Sequence, residues 1–255
     1  MRRGLPPAPA LVVLLATITG CGGDDGGSGD GDELTVSAAS SLTEAFQEYG
    51  PTLEPTETKF SFGGSDELAA QIRQGAAPDV FASANTELPD ALHDEGLVEQ
   101  PAVFATNTLV LAVPSDSQID AIDDLTEPGL DLVIGAPDVP FGSYTRTVLE
   151  RLPPEDSQAI LDNVRSEESD VKAAIGKLTQ GAADASFTYT SDVAAAEELE
   201  AIQLPRELQP DVAYGIAVAS EAENPEGAQE FIDGLLSGEG ATILEASGFK
   251  PPPGG

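Results

Sequence analysis

Two strand-to-helix turns in this chain carry serine where a small anion could be held. Across residues 34–44, Leu-Thr-Val-Ser-Ala-Ala-Ser-Ser-Leu-Thr-Glu, the period changes midway. Residues 34–38 read as a strand, whereas Leu42, Ala45, Phe46 and Tyr49 fall at helical spacing. Ser40-Ser41 is therefore the turn that hands a strand over to a helix N-terminus. Unpaired backbone N–H groups, the positive end of the helix dipole and hydroxyl donors meet at such a turn, which makes it a natural anion seat. The same Ser41 also reads as an N-cap, with Glu44 completing an S-x-x-E capping box. Ser65, behind Gly63-Gly64, carries the same two readings, anion donor or helix cap. Tyr189, at the end of a later strand, reads as an ordinary half-buried tyrosine.

Other chemistries lack their residues. A serine nucleophile needs a histidine base, and the single histidine, His93, falls on a predicted surface helix among acids. One His and one Cys cannot build a zinc site. No G-x-x-x-x-G-K-[ST] string is present for nucleotide phosphates. Acids are so numerous that no pair of carboxylates stands out as an acid–base couple. The reading is of a binding protein, not an enzyme, with no cofactor.

The elements that position these groups alternate. Residues 58–62 read as a strand, 63–65 as a turn and 66–74 as a helix stopped by Gly75; a strand at 79–84 and a helix at 87–95 follow. Strands alternating with helices imply right-handed βαβ units on a parallel sheet. Ligands bind beyond the carboxyl ends of such strands, where the two serine turns would lie side by side. An apolar strand within 104–114 ends this first lobe. A second series comprises a strand at 130–136, helices at 142–152 and 155–163, a helix at 171–180 with Asp170 as N-cap, a short strand at 185–188 and a helix after Ser191. A second long apolar strand, 212–219, precedes helices at 225–236 and 241–246. Two long strands flanking a self-contained αβ region predict two crossings between two α/β lobes with a cleft between them. The expected division is 34–111 with 216–255 for the first lobe and 112–215 for the second.

The start of the chain reads differently. Residues 1–20 have a basic pair, Arg2-Arg3, an apolar run at 10–18 too short to span a bilayer, and small residues before Cys21. This is a secretory signal layout. Ile18-Thr19-Gly20-Cys21 resembles the lipobox of lipoprotein signal peptides, in which the cysteine becomes the lipid-modified first residue; a plain signal peptide is the simpler alternative. Cys21 is the only cysteine, so it has no intramolecular disulfide partner. Residues 21–33 form an acidic, Gly-rich stretch with nothing apolar to bury beyond Cys21, a flexible tether. The formal charge of −34, from 45 acids against 11 bases, excludes a basic patch for nucleic acid or anionic lipid. It is most simply a solubility feature.

Several strings, in order, resemble one family. Ala38-Ala39-Ser40-Ser41-Leu42-Thr43, Ser61-Phe62-Gly63-Gly64-Ser65, Gly75-Ala76-Ala77-Pro78-Asp79-Val80-Phe81, Val139-Pro140-Phe141-Gly142-Ser143-Tyr144, Glu168-Ser169-Asp170-Val171, Tyr189-Thr190-Ser191-Asp192 and Gly248-Phe249 look like the molybdate-binding proteins of ABC importers. The likeness runs from Leu34 to Phe249. It implies a two-lobed periplasmic-binding-protein fold of type II that closes on a tetrahedral oxyanion through neutral hydrogen-bond donors. Carried onto this chain, Ser41 and Ser65 would donate through hydroxyl and backbone N–H, Phe141 and Val171 through backbone N–H, and Tyr189 through its phenol. Phe141 stands where the family usually has a small residue, so its backbone contact requires the ring to turn away from the cleft. Molybdenum would be held only as bound molybdate, with tungstate the companion ligand and sulfate or phosphate the alternative. The partners implied are an ABC permease and its ATPase. The protein would be an extracytoplasmic monomer lipid-anchored to the cell membrane through Cys21. Asp66 is expected to point outward in the first turn of its helix, leaving a pocket of donors only.

Overall fold

The computed structural model describes residues 33–252 together with Met1; the expectations on the rest of the signal segment, on Cys21 and on the tether through residue 32 lie outside the described residues. The chain begins as β1 (Glu33–Ala39), passes through a 3-10 turn (Ser40–Leu42) and enters α1 (Thr43–Tyr49). Next come β2 (Glu57–Gly63), α2 (Ser65–Arg73), β3 (Val80–Ser83), α3 (Glu87–Asp94) and β4 (Ala102–Asn107). A second run holds β5 (Leu109–Pro114), β6 (Leu132–Gly135), α4 (Pro140–Glu150), α5 (Pro154–Asp162) and β7 (Val164–Glu168). It continues through α6 (Val171–Thr179), β8 (Ala185–Tyr189), α7 (Thr190–Ala194) and β9 (Leu199–Gln203). The chain then returns with β10 (Val212–Val218), α8 (Pro225–Ser237) and α9 (Glu239–Ala246).

These strands form two five-stranded sheets, ordered β2-β1-β3-β10-β4 and β7-β6-β8-β5-β9. The second sheet repeats the plan of the first. In each, three parallel strands lie on one side, and an antiparallel strand (β10 or β5) is inserted beside the third. Such inner strands are flanked on both edges and covered on both faces, which is why Leu109–Val113 and Val212–Val218 read as unbroken apolar runs and are almost entirely buried.

The structure corrects the expected lobe borders. The apolar stretch read as one strand is two, β4 and β5, which change sheets at Thr108. Residues 109–111 therefore belong to the second sheet and 212–215 to the first, with the return passage lying between β9 and β10. A hydrophobic run records burial on both faces, not which sheet buries it, so the sequence pattern could not mark the switch. Two further strands, β7 and β9, were not expected. Both are edge strands that carry charge, Val-Arg-Ser-Glu-Glu and Leu-Glu-Ala-Ile-Gln, and lack a long apolar run.

The serine turn of the first lobe is held from behind. Phe46 on α1 is fully buried and packs edge-on against Phe231 of α8 with ring centroids 5.2 Å apart, and it also meets Phe60 and Phe104 at 6.0 and 6.2 Å. Burying one such ring contributes about 1.5–3 kcal/mol, with aromatic pairs adding to it. This cluster ties the start of α1, and with it Ser40-Ser41, to the sheet and to the C-terminal helices.

Candidate functional site

Strand register brings the helix N-termini together. β1 and β2 run parallel with Ala39 beside Gly63, so the Ser41 and Ser65 turns leave adjacent strand ends. In the other lobe β6 and β7 align Gly135 with Glu168, which sets the starts of α4 and α6 next to one another. Tyr189 closes β8, the third parallel strand of that sheet. The two groups face each other across a cavity of about 20 Å³ that Ser41, Ser65, Phe141, Val171 and Tyr189 all line, together with Gly64, Ala84 and Asp170. The five residues predicted to bind are thus in one place, and Cys21 lies outside the described residues.

Each contributes a donor by position. Ser65 and Val171 open α2 and α6, and Phe141 follows Pro140 in the first turn of α4, so their N–H groups have no acceptor within their own helices. Ser65 Oγ accepts from Ala84 N–H at 3.1 Å, which leaves its own proton to point elsewhere. Tyr189 is buried and its hydroxyl has no hydrogen-bond partner among the described residues. Burial, with Tyr214, Tyr144 and Asp192 nearby, pushes that phenol well above its ordinary pKa, so it remains a protonated donor.

Phe141 keeps its backbone free. Its ring is buried and its Cε1 would lie 2.9 Å from a β-carbon on Gly135, a residue of β6 that does not border the cavity. Glycine at 135 is what makes room for the ring on the side of its own sheet.

Two expectations fail. Ser41 is not an N-cap: it sits inside the 3-10 turn, and its Oγ lies 2.9 Å from the hydroxyl of Tyr214. Glu44 forms no capping box and instead reaches Lys172 of the other lobe. The extra 3-10 turn moves the start of α1 past the serines, which frees both side chains for tertiary partners. Asp66 does not point outward. One of its oxygens is buried without a partner among the described residues and would lie 2.9 Å from a β-carbon on Gly64. Burial raises its pKa, against the pull of its own and Glu67's backbone N–H. It folds over the start of α2, attracted by those N–H groups, but does not line the cavity. Asp170 behaves as expected, accepting from Ala173 N–H at 3.1 Å as the cap of α6.

Tyr214, which sequence reasoning missed, stands behind Ser41 and Tyr189 without lining the cavity. Its ring stands edge-on to Tyr189 with centroids 5.8 Å apart, and Tyr189 in turn meets Tyr144 at 6.4 Å. The lobes also touch directly. A β-carbon on Gly64 would lie 2.3 Å from the carbonyl oxygen of Ser169, so this contact admits only glycine and the cleft is shut.

The family profile of bacterial extracellular solute-binding proteins matches residues 34–250. The chain is a member of that family. Among curated relatives, this solute-binding protein is 35% identical to the molybdate-binding protein ModA of Mycobacterium tuberculosis over 98% of both chains. It is 29% identical to the molybdate-binding protein ModA of Escherichia coli over 86% of this chain and 90% of that one. Its fold matches the periplasmic molybdate-binding protein of Azotobacter vinelandii with a TM-score of 0.76, at 20% identity, over 86% of this chain and 99% of that one. The two-lobed periplasmic-binding-protein architecture expected from the sequence is the one observed. No helix among the described residues is long and apolar enough to cross a membrane.

Proposed function

We propose that this solute-binding protein captures molybdate, and tungstate with it, outside the cytoplasm and delivers the ion to an ABC permease driven by a cytoplasmic ATPase. The observation that carries this reading is the Tyr189 hydroxyl, a buried donor without an acceptor among the described residues, which borders a cavity where four helical turns begin. A buried polar group left unpaired costs about 1–3 kcal/mol, so such a donor implies a ligand that accepts from it. The cavity's roughly 20 Å³ is on the scale of one compact ion. Several N–H and O–H dipoles can replace the hydration shell of a dianion without a full positive charge, and no Lys or Arg lines the cavity. The two molybdate-binding relatives at 35% and 29% identity favour molybdate among tetrahedral oxyanions.

In this reading the protein is a monomer without catalytic residues, held to the membrane by lipid on Cys21 and kept clear of it by the acidic tether. Calorimetric titration with molybdate, tungstate, sulfate and phosphate tests the ligand. Molybdate and tungstate should bind far more tightly than the others; preference for phosphate or sulfate would replace the assignment. Membrane retention of a Cys21→Ser variant would refute the anchor.

A further inference from the structure

We infer that Tyr214, backed by Asn107, is a positioning residue that fixes the direction of the Ser41 hydroxyl, so that Ser41 turns its proton into the cavity. The inference rests on reading that cavity as the oxyanion site.

The network is buried throughout, with Ser41 4%, Asn107 7%, Ser191 6% and Tyr214 0% exposed. Either oxygen of the Ser41–Tyr214 pair, 2.9 Å apart, could be the donor on distance alone. The surroundings decide. The phenol has no acceptor other than Ser41 Oγ among the described residues, so a bond in the opposite sense would strand the phenolic proton in the core. Asn107 pushes the same way. Its Oδ1 accepts from Thr108 N–H at 2.8 Å, which settles which end of the amide is which, and its Nδ2 donates to Ser191 Oγ at 2.9 Å. Asn107 pairs with Val212 across β4 and β10, two residues from Tyr214 on the same face, and it lowers the pKa of the phenol as a neighbouring donor does. An amide N–H facing the phenol fills a lone pair and turns the phenolic proton toward Ser41.

With one lone pair engaged by Tyr214, Ser41 still has its proton and no acceptor for it in the protein among the described residues. Ser65 is held in the same sense by Ala84 N–H. Each serine then turns its proton toward the cavity and presents a donor, not an acceptor, to the ligand. Ions that carry an O–H, such as hydrogen phosphate, lose a hydrogen bond that molybdate does not need.

Calorimetric titration with sodium molybdate and with sodium phosphate at pH 8, on the unaltered protein, Tyr214→Phe, Ser41→Ala and the double variant, tests this. Tyr214→Phe frees the Ser41 hydroxyl to turn and face a ligand proton with its oxygen, so the preference for molybdate over phosphate should narrow by about tenfold. In the Ser41→Ala background the same change should leave the preference unaltered, because the two residues act as one unit. Asn107→Asp, which cannot donate to the phenol, should narrow the preference as Tyr214→Phe does. An unchanged preference in Tyr214→Phe, or an equal change with and without Ser41, overturns the relay. Failure of the unaltered protein to bind molybdate would instead overturn the ligand assignment, so the two failures are distinct.

Discussion

Lys172 of the second lobe holds Glu44 of the first, its Nζ 2.9 and 2.8 Å from the two carboxylate oxygens, while the buried carboxylate of Asp192 lies 3.5 Å from the same nitrogen. The pair bridges the lobes only when the cleft is shut. A part-exposed ion pair contributes about 0.2–1 kcal/mol. Glu44→Gln should therefore weaken molybdate binding by about 1.5- to 5-fold, mainly through faster release. The difference from the unaltered protein should shrink as salt rises, because salt screens the pair. A difference that is constant from low to high salt in stopped-flow measurements would count against an electrostatic latch.

Tyr189 should matter with ligand and little without it. In the free protein, with the cleft open, water can solvate its hydroxyl, so Tyr189→Phe should leave the unliganded melting temperature little changed. With molybdate present, the lost charge-assisted bond, about 1.5–3 kcal/mol, should weaken binding roughly tenfold to a hundredfold. Thermal melts with and without molybdate check both halves. A variant destabilised equally in the two states would mark Tyr189 as a packing residue only.

Asp192 makes stability fall as pH rises. Burial is the largest influence on it and raises its pKa to about 7, with Lys172 opposing and Glu44 reinforcing the shift. Between the ordinary carboxylate range and about 7 the folded protein holds a proton that the unfolded chain has released. The neutral carboxyl is therefore at no disadvantage below that window, and the cost of the charged form is fully present above it. Asp192→Asn should raise the melting temperature at pH 8 and much less at pH 4. An equal gain at both values would contradict this assignment of the shift.

Gly64→Ala should obstruct closure without unfolding either lobe. The added methyl would meet the Ser169 carbonyl at 2.3 Å, a contact between lobes and not within one. Relieving an overlap of that kind costs about 1–3 kcal/mol, which corresponds to about fivefold to a hundredfold in affinity. Solution scattering of this variant should keep the larger radius of gyration of an open form when molybdate is added. A ligand-induced contraction equal to that of the unaltered protein would show that the lobes close by another path.

Much of this site could be read along the chain, because a strand, a small-residue turn and a helix start are local. Ser41 and Ser65 showed themselves by a change of period, whereas Phe141, Val171 and the ligand role of Tyr189 came through resemblance to a family. Tyr214 left no trace, being one aromatic residue in the apolar run of β10. Its partner Ser41 is 173 residues away, and Lys172 is 128 residues from Glu44. Contacts at such separations are set by how two lobes meet, which no window of sequence contains. The capping box at Ser41 failed for the same reason: its local pattern was intact, and tertiary partners outbid it.

The insertion of β10 between β3 and β4 places an order on the birth of the molecule. A chain that emerges N-terminus first delivers β1 to β4 early, yet their sheet lacks its fourth-position strand until residue 218 has appeared. The second sheet has no such debt, since β5 to β9 follow one another without interruption. The lobe that is second in sequence is thus the first able to close its core, and the N-terminal strands, with half the anion seat, must wait unsheltered for the return of the chain. The acidic excess suits that interval: a like-charged, half-folded chain repels its neighbours while its sheet is incomplete.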